Sequence, residues 1–334
     1  MKGISGLLVL ASAVALLAWG CGGTTSASGG GTGGTITLVA YSTPKEAYEA
    51  VIPAFQKTSA GKGVKFEQSY GASGEQSRAV EAGLPASVVA FSLAPDVDRL
   101  VEADIVSADW NKDRYKGMVT DSVVVFVVRN GNPKGIHTWD DLVKPGIQVI
   151  TPNPFTSGSA RWNLMAAYGA QLELGRTPDQ ALAYLGDLLE NTPVQDKSAR
   201  EALQTFVGGK GDVMLAYENE AITAQQKGED VDYVVPDQTI LIENPVAVTK
   251  DAPESAKAFV TFLRTPPAQK IFGQKGYRPV VKSVLDQFDY PQPSSLFTID
   301  RFGGWSEVTD KFFDRDNGLV AKIEQGLGVS TDSG

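Results

Sequence analysis

Ser157-Gly158-Ser159 is the stretch of this chain best suited to chemistry. It follows the strand-like run Gln148-Val149-Ile150-Thr151, stopped by Pro152-Asn153-Pro154, and opens the helix-forming run that begins at Ala160. The first N–H groups of a helix have no intrahelical partner, and the helix dipole adds partial positive charge at the same end. Two hydroxyls flanking a glycine leave that end accessible, which is the makings of an anion site. By itself the same turn is also an ordinary N-cap. The chain, however, repeats the arrangement at Ser42-Thr43, Ser73-Gly74 and Ser198-Ala199, each between a strand and a helix. In open α/β sheets such turns lie at the carboxyl ends of strands, where ligands bind, so four of them predict a shared cleft.

The donors in these turns restrict the ligand. A backbone N–H donates and cannot accept, and a hydroxyl proton can rotate toward an anion. No turn carries a carboxylate at its tip, and Glu75 and Glu201 fall inside their helices, where capping suffices. That pattern suits a fully deprotonated dianion such as sulfate better than phosphate, whose proton needs an acceptor. Arg161 and Arg200 occupy first helical turns and are expected to make surface ion pairs rather than ligand contacts. Tyr217 closes the strand Asp212-Val213-Met214-Leu215-Ala216-Tyr217; it reads either as a buried aromatic or as a phenol donor at the cleft.

Catalysis finds little support, and no cofactor or metal is expected. The single histidine, His137, falls in a polar connection and reads as a surface residue. There is no Gly-x-Ser-x-Gly elbow to strain Ser157 into a nucleophile. One histidine and one cysteine cannot build a common zinc site. Gly208-Gly209-Lys210 lacks the upstream glycine and following hydroxyl of a P-loop. With 39 acidic against 30 basic side chains and no basic stripe, nucleic acid is excluded as a partner, and any anion must be held by local dipoles.

The elements that position these turns alternate. Thr35-Ile36-Thr37-Leu38-Val39-Ala40-Tyr41 is a buried strand; Thr43 as N-cap, Pro44 and Glu46 then read as a capping box, with Pro53 expected to kink or end the helix. The unit recurs through the strand ending at Tyr70, with Ser73 and Gln76 at capping-box spacing, and through Ser87-Val88-Val89-Ala90-Phe91-Ser92. Ser122-Val123-Val124-Val125-Phe126-Val127-Val128 is the most apolar strand and crosses toward a second domain. The return lies near Ile242-Glu243-Asn244-Pro245-Val246. Strand–helix alternation predicts a parallel α/β sheet with helices on both faces. The tail from Trp305 reads as helix interrupted at Asn317-Gly318.

A chain of 334 residues, 42% hydrophobic, suits two domains. Before them, Lys2 and the apolar residues 7–17 read as a signal peptide, too short to span a bilayer, running into Leu17-Ala18-Trp19-Gly20-Cys21. Cys21 is the only cysteine and resembles the lipidated residue of a bacterial lipobox. Removal of residues 1–20 deletes Lys2 and takes the net charge from −9 to −10. Residues 22–34 are almost wholly Gly, Ser and Thr, a flexible tether spanning on the order of 20 Å.

The run Asn153-Pro154-Phe155-Thr156-Ser157-Gly158-Ser159-Ala160-Arg161-Trp162-Asn163 resembles the signature of the sulfate/thiosulfate-binding proteins of ABC importers. Ser69-Tyr70-Gly71-Ala72-Ser73-Gly74-Glu75-Gln76, Gly211-Asp212-Val213-Met214-Leu215-Ala216-Tyr217-Glu218-Asn219-Glu220-Ala221 and Gly276-Tyr277-Arg278-Pro279-Val280 resemble it too. The resemblance covers residues 35–305 and is nearest to the lipid-anchored subunits of actinobacterial importers. It implies a two-domain, type II periplasmic-binding-protein-like fold with a cleft between lobes and crossover hinge strands. It implies lobe one at residues 35–122 and 246–334, and lobe two at 123–245. It implies that Ser42, Gly158, Ser159 and Ala199 give backbone N–H groups to the anion, and that Ser73 and Ser157 donate through hydroxyl or backbone. Tyr217 stands where many members have a tryptophan, and Ser42 where many have an aspartate. The implied function is the extracytoplasmic receptor of a sulfate or thiosulfate importer, a monomer anchored to the membrane by lipid and partnered by ABC permease subunits. The alternatives are a receptor for molybdate or phosphate, a secreted serine hydrolase using Ser157, and an adhesive surface lipoprotein.

Overall fold

Strand β1 (Thr35–Tyr41) sends Ile36, Leu38 and Ala40 to one face of a sheet and Val39 to the other, and all four are fully buried. It runs parallel to β2 (Lys65–Gly71) and β3 (Val88–Ala90), with α1 (Lys45–Gln56) and α2 (Ser73–Glu81) as crossovers and α3 (Ala94–Glu102) following β3. The structure is a computed structural model describing residues 33–331. The expected signal peptide, Cys21 and nearly all of the tether lie outside these residues.

Two long strands link the halves. In β4 (Met118–Arg129), Val123 pairs with Leu241 of β8 (Gln238–Val248), whereas the next residue, Val124, pairs with Tyr217 of β6 (Val213–Tyr217). Strand β8 in turn pairs antiparallel with β3 through Val246, Ala247 and Val248. Each half of the sheet therefore grows outward from this β4–β8 pair, giving the order β2-β1-β3-β8-β4-β6-β5, where β5 is Val149–Ile150. Strand β7 (Val231–Val234) adds to the far half of β4. The continuous apolar sequence of β4 follows from its place: residues 122–128 are buried on both faces.

Each half carries helices on both faces. In the first, α1, α9 (Glu254–Leu263) and α10 (Pro266–Gln274) bury Tyr48, Phe55, Phe259 and Phe272 against one side, and α2 and α3 bury Val80, Val97 and Leu100 against the other. In the second, α4 (Trp139–Leu142), α5 (Gly158–Glu173) and α6 (Pro178–Glu190) cover one face. Helices α7 (Ala199–Val207) and α8 (Glu218–Gln226) cover the opposite one.

Thirteen of the sixteen α5 residues are buried, so α5 is a central helix with no solvent face. Its outer side is covered by the C-terminal tail. After β9 (Arg278–Pro279) and α11 (Lys282–Leu285), β10 (Ser295–Phe297) pairs with β8. The chain then continues through α12 (Gly304–Val308) and α13 (Leu319–Gly326). Trp162 meets Trp305 edge to face at 4.6 Å and Tyr168 meets Phe312 at 4.9 Å. A Cβ at Gly169 would stand 2.3 Å from the Phe297 ring, so the tail seats directly on the α5 backbone. Phe297, Trp305, Phe312, Val320 and Ala321 share one core with Trp162, Leu164 and Tyr168 of α5.

Three local expectations also change. Helix α1 starts at Lys45 with Pro44 as N-cap; the Thr43 hydroxyl bonds nothing, and Glu46 is drawn away by distant cations. The same helix passes through Pro53 to Gln56, held by burial of Val51, Ile52 and Phe55. Helix α2 takes extended Ala72 as N-cap, and Gln76 instead accepts from the Ser69 hydroxyl at 3.0 Å. The Ser198 cap forms as read, its hydroxyl accepting the Glu201 N–H at 3.3 Å.

Candidate functional site

Asn153 winds the turn ahead of α5. Its side-chain oxygen accepts the Phe155 N–H at 2.8 Å, and its carbonyl accepts the Ser157 N–H at 2.9 Å. Ser157 is the extended N-cap, and its hydroxyl closes no capping bond. The N–H groups of Gly158 and Ser159 come next, in the first helical turn, where no intrahelical carbonyl can reach them. A Cβ at Gly158 would stand 2.7 Å from Ser92 Oγ and 2.8 Å from Leu93 Cγ. Only a glycine lets this helix end close on the β3–α3 turn of the other lobe.

Ser92 is the crossing point, though nothing in its local sequence marks it. Its N–H donates to Ser73 Oγ at 2.9 Å, and its carbonyl accepts the Trp162 indole N–H at 2.9 Å. The Asn244 amide also reaches that carbonyl, at 3.4 Å, and Ser92 Oγ lies 2.6 Å from the Tyr217 hydroxyl. Ser159 and Asn244 side chains flank the same phenol. Burial pushes the fully enclosed Tyr217 well above the usual phenol range, so it stays protonated and keeps a proton to donate.

The Ser73 hydroxyl is already committed: it donates to Asp96 Oδ2 at 2.6 Å while accepting from Ser92. Its free donor is the backbone N–H at the start of α2. A carboxylate thus does lie behind one turn, supplied by α3 rather than by the turn itself. Burial raises Asp96, against the opposing pull of Ser73, Arg161, Arg99 and Arg78. Arg161 is no surface pair. Its Nε donates to Pro154 O at 2.9 Å, and its guanidinium lies over the Phe313 ring at 5.0 Å.

Ser42 and the start of α7 form the other side. Arg200 reaches from α7 to Glu46 at the start of α1, with Nη1 2.5 Å from Oε1, and Lys227 pairs with the same carboxylate. Arg200 Nη2 also approaches the Ser42 and Thr43 carbonyls at 3.4 Å. Burial alone would raise Glu46, but the hydrogen bonds from Arg200 and Lys227 outweigh it and hold the carboxyl at about 2. Ser42, Glu46, Gly71, Ala72, Ser198 and Arg200 line one cavity of about 530 Å³.

These contacts run in a ring. Arg200 joins the Ser42 turn to α7; the Thr156 hydroxyl bonds Lys197 O at 2.8 Å, joining α7 to the α5 turn. A Cβ on Gly74 would stand 3.1 Å from Thr156 O, which joins the α5 turn to α2. Ser73 leads through Ser92 to Tyr217, whose ring lies 6.3 Å from that of Tyr41, the residue before Ser42. All four turns belong to this ring. The chemistry they can offer is donation, from first-turn N–H groups and hydroxyls. His137 is exposed, and among the described residues no His, Cys, Asp and Glu group could hold a metal ion.

Residues 36–278 match the family of bacterial extracellular solute-binding proteins. The sulfate-binding protein of Synechococcus elongatus is 42% identical over 333 residues, covering 95% of each chain. The thiosulfate-binding protein of Escherichia coli is 34% identical over 292 residues, 82% of this chain and 86% of that one. Among solved structures, the sulfate-binding protein SubI from Mycobacterium tuberculosis superposes with a TM-score of 0.82 at 47% identity, covering 84% of this chain and 99% of the other.

Proposed function

We propose that this chain, which belongs to the bacterial extracellular solute-binding proteins, is the solute-binding component of an ABC importer for sulfate, with thiosulfate as a second ligand. The observation that carries this reading is the ring of four turns that open α1, α2, α5 and α7, each presenting donors and none a carboxylate at its tip; the Ser198 turn follows an isolated bridge at Val194 rather than the expected strand. An oxyanion seated there takes N–H groups from Ser42, Ser73, Gly158, Ser159 and Ala199, the hydroxyl of Ser157 and the phenol of Tyr217. The Ser73 hydroxyl contributes indirectly, because Asp96 and Ser92 hold it. A dianion that carries no proton leaves no hydrogen of its own unsatisfied among such donors, whereas monohydrogen phosphate does.

The lobes divide at the point where β4 changes partner, between Val123 and Val124, so opening is a hinge at the β4–β8 pair. The relatives are binding proteins, and transport rather than turnover is the role assigned here. The protein acts outside the cytoplasm as a monomer, held by lipid on Cys21 and the tether after it, and presents its closed form to permease subunits.

Calorimetric titration of the purified protein with sulfate, thiosulfate, molybdate and phosphate tests the reading. Saturable one-to-one binding of sulfate, with phosphate not competing, is the expected result; preferential binding of phosphate or molybdate overturns it. Mass spectrometry of the protein from membranes, showing a diacylglyceryl adduct on Cys21, tests the anchor separately.

A further inference from the structure

A second cavity, of about 430 Å³, adjoins the ring and takes no part in the reading above. Four arginines line it: Arg78 from α2, Arg99 from α3, Arg161 from α5 and Arg315 from the stretch between α12 and α13. The tail completes it. Trp305 packs on Trp162 of α5, and the Arg161 guanidinium lies over the Phe313 ring at 5.0 Å. Asp96 is common to the two places: its carboxylate holds Ser73 of the ring, and it lines this cavity.

The chain's own carboxylates leave these guanidiniums poorly matched. Among the described residues Arg161 and Arg315 form no ion pair, and Arg99 forms one at 3.7 Å, to Glu81 outside the cavity. The Arg99 Nε is buried with no hydrogen-bond partner among those residues. Burial first, and then the charges of Arg315 and Arg99, lower Arg78. Burial likewise brings Arg161 down to about 10, with Asp96 opposing the shift and the other three arginines reinforcing it. The remaining carboxylates of the cavity are committed elsewhere or exposed. Asp98 accepts the Trp110 indole N–H at 3.1 Å, and Asp314 accepts the Asp316 and Asn317 N–H groups at 3.2 and 2.7 Å. Glu102 and Asp310 are exposed.

Forked cationic donors beside carboxylates are the reverse of the ring, whose turns offer neutral donors and no acceptor at their tips. A guanidinium presents paired N–H groups that match two oxygens of a phosphate. A phosphate that keeps a proton finds an acceptor here, in Glu102 or Asp310, which the ring lacks. The volume lies within the range of small-molecule sites. We propose that this cavity is a second anion site, separate from the ring, for a ligand bearing a diphosphate group. Such a group is long enough to meet several of the arginines at once, and it neutralises like charges that the fold brings together without pairing them. No donor of the ring takes part, so the proposal stands apart from the sulfate reading.

Calorimetric titration of the full-length protein with inorganic diphosphate, at low ionic strength, with and without one equivalent of sulfate, tests it. One saturable event is expected, unchanged by sulfate and weakening as salt is added. Adenosine diphosphate, titrated alongside, separates an organic diphosphate from the inorganic ion by which of them binds more tightly. Arg315→Glu, at an exposed position, should weaken diphosphate binding by roughly tenfold or more. Its sulfate Kd and circular dichroism should match the wild type. Arg99→Gln should weaken diphosphate binding as well. Absence of saturable diphosphate binding overturns the proposal. So does displacement of diphosphate by sulfate, which would place it in the ring, and so does wild-type affinity in both variants. Failure of the receptor reading shows separately, as absence of sulfate binding while diphosphate still binds.

Discussion

The hydroxyls of Ser92 and Tyr217 meet at 2.6 Å across 125 residues of sequence, one on the β3–α3 turn and the other at the end of β6. The bond joins the two lobes at the edge of the proposed anion site. It also leaves the phenol with capacity to accept as well as donate, which an indole at the same place would lack. Tyr217→Phe removes the hydroxyl and nothing else. The expected outcome is a sulfate affinity lower by roughly 10–100-fold, the usual worth of one hydrogen bond to a charged group. Calorimetry checks it, and an unchanged Kd would remove Tyr217 from the site.

Gly158 makes a second test sharper than its sequence suggests. Read from sequence, an aspartate there should repel the ligand while sparing the fold. The structure adds that any Cβ collides with Ser92 and Leu93. Gly158→Ala, which brings no charge, is therefore expected to hold the lobes apart and to weaken sulfate binding by more than about tenfold. Overpacking at such a join costs about 1–3 kcal/mol. Small-angle scattering with saturating sulfate should show the variant remaining open where the wild type compacts.

Arg200 and Lys227 clamp Glu46 across the cleft, and the clamp has a pH signature. Glu46 lies at about 2 in the folded protein against an ordinary value of 4.5. Its pairing thus stabilises the protein fully above 4.5, and the contribution is lost as pH falls from there through about 2. Arg200→Ala should flatten that part of the acid denaturation curve. It should also raise the sulfate dissociation rate by a few-fold, on the order of 5-fold for a partly solvated pair. Stopped-flow fluorescence measures the rate, and an unchanged rate would confine the pair to stability.

Much of the fold was legible because it is written locally. The apolar runs of β1, β4 and β6, the Ser198 cap and the Ser157-Gly158 turn each follow from a few adjacent residues. What was missed depends on distant partners. Glu46 looked like half of a capping box, yet its partners lie 154 and 181 residues away. Ser92 looked like the last residue of a strand, and its four contacts come from α2, α5, β6 and β8. The tail beyond Phe297 carried helical spacing but no sign of the helix it would cover. That answer lies in α5, whose outer face offers Gly169 and Trp162 as a seat. Asp96 escaped for the same reason: a carboxylate next to the Ser73 turn in space is 23 residues from it in sequence.

The buried pair of Arg278 and Glu218 yields the last prediction. Arg278 Nε donates to Glu218 Oε2 at 2.7 Å and Nη2 to Oε1 at 3.1 Å, while Nη2 also meets Pro291 O at 2.7 Å. Glu218 opens α8 in lobe two and Arg278 lies on β9 beside β4, so the fork ties the lobes close to the hinge. Its charges are withdrawn from water, with side-chain exposures of 6% and 0%. Removing one partner strands the other. Arg278→Met should therefore destabilise the protein by about 3–5 kcal/mol in urea denaturation, because Glu218 is left charged or must bind a proton. Arg278→Met combined with Glu218→Leu should recover most of that loss, since neither charge then has to be desolvated. If the double variant is as unstable as the single one, packing around the side chains, rather than the stranded charge, sets the stability of the hinge.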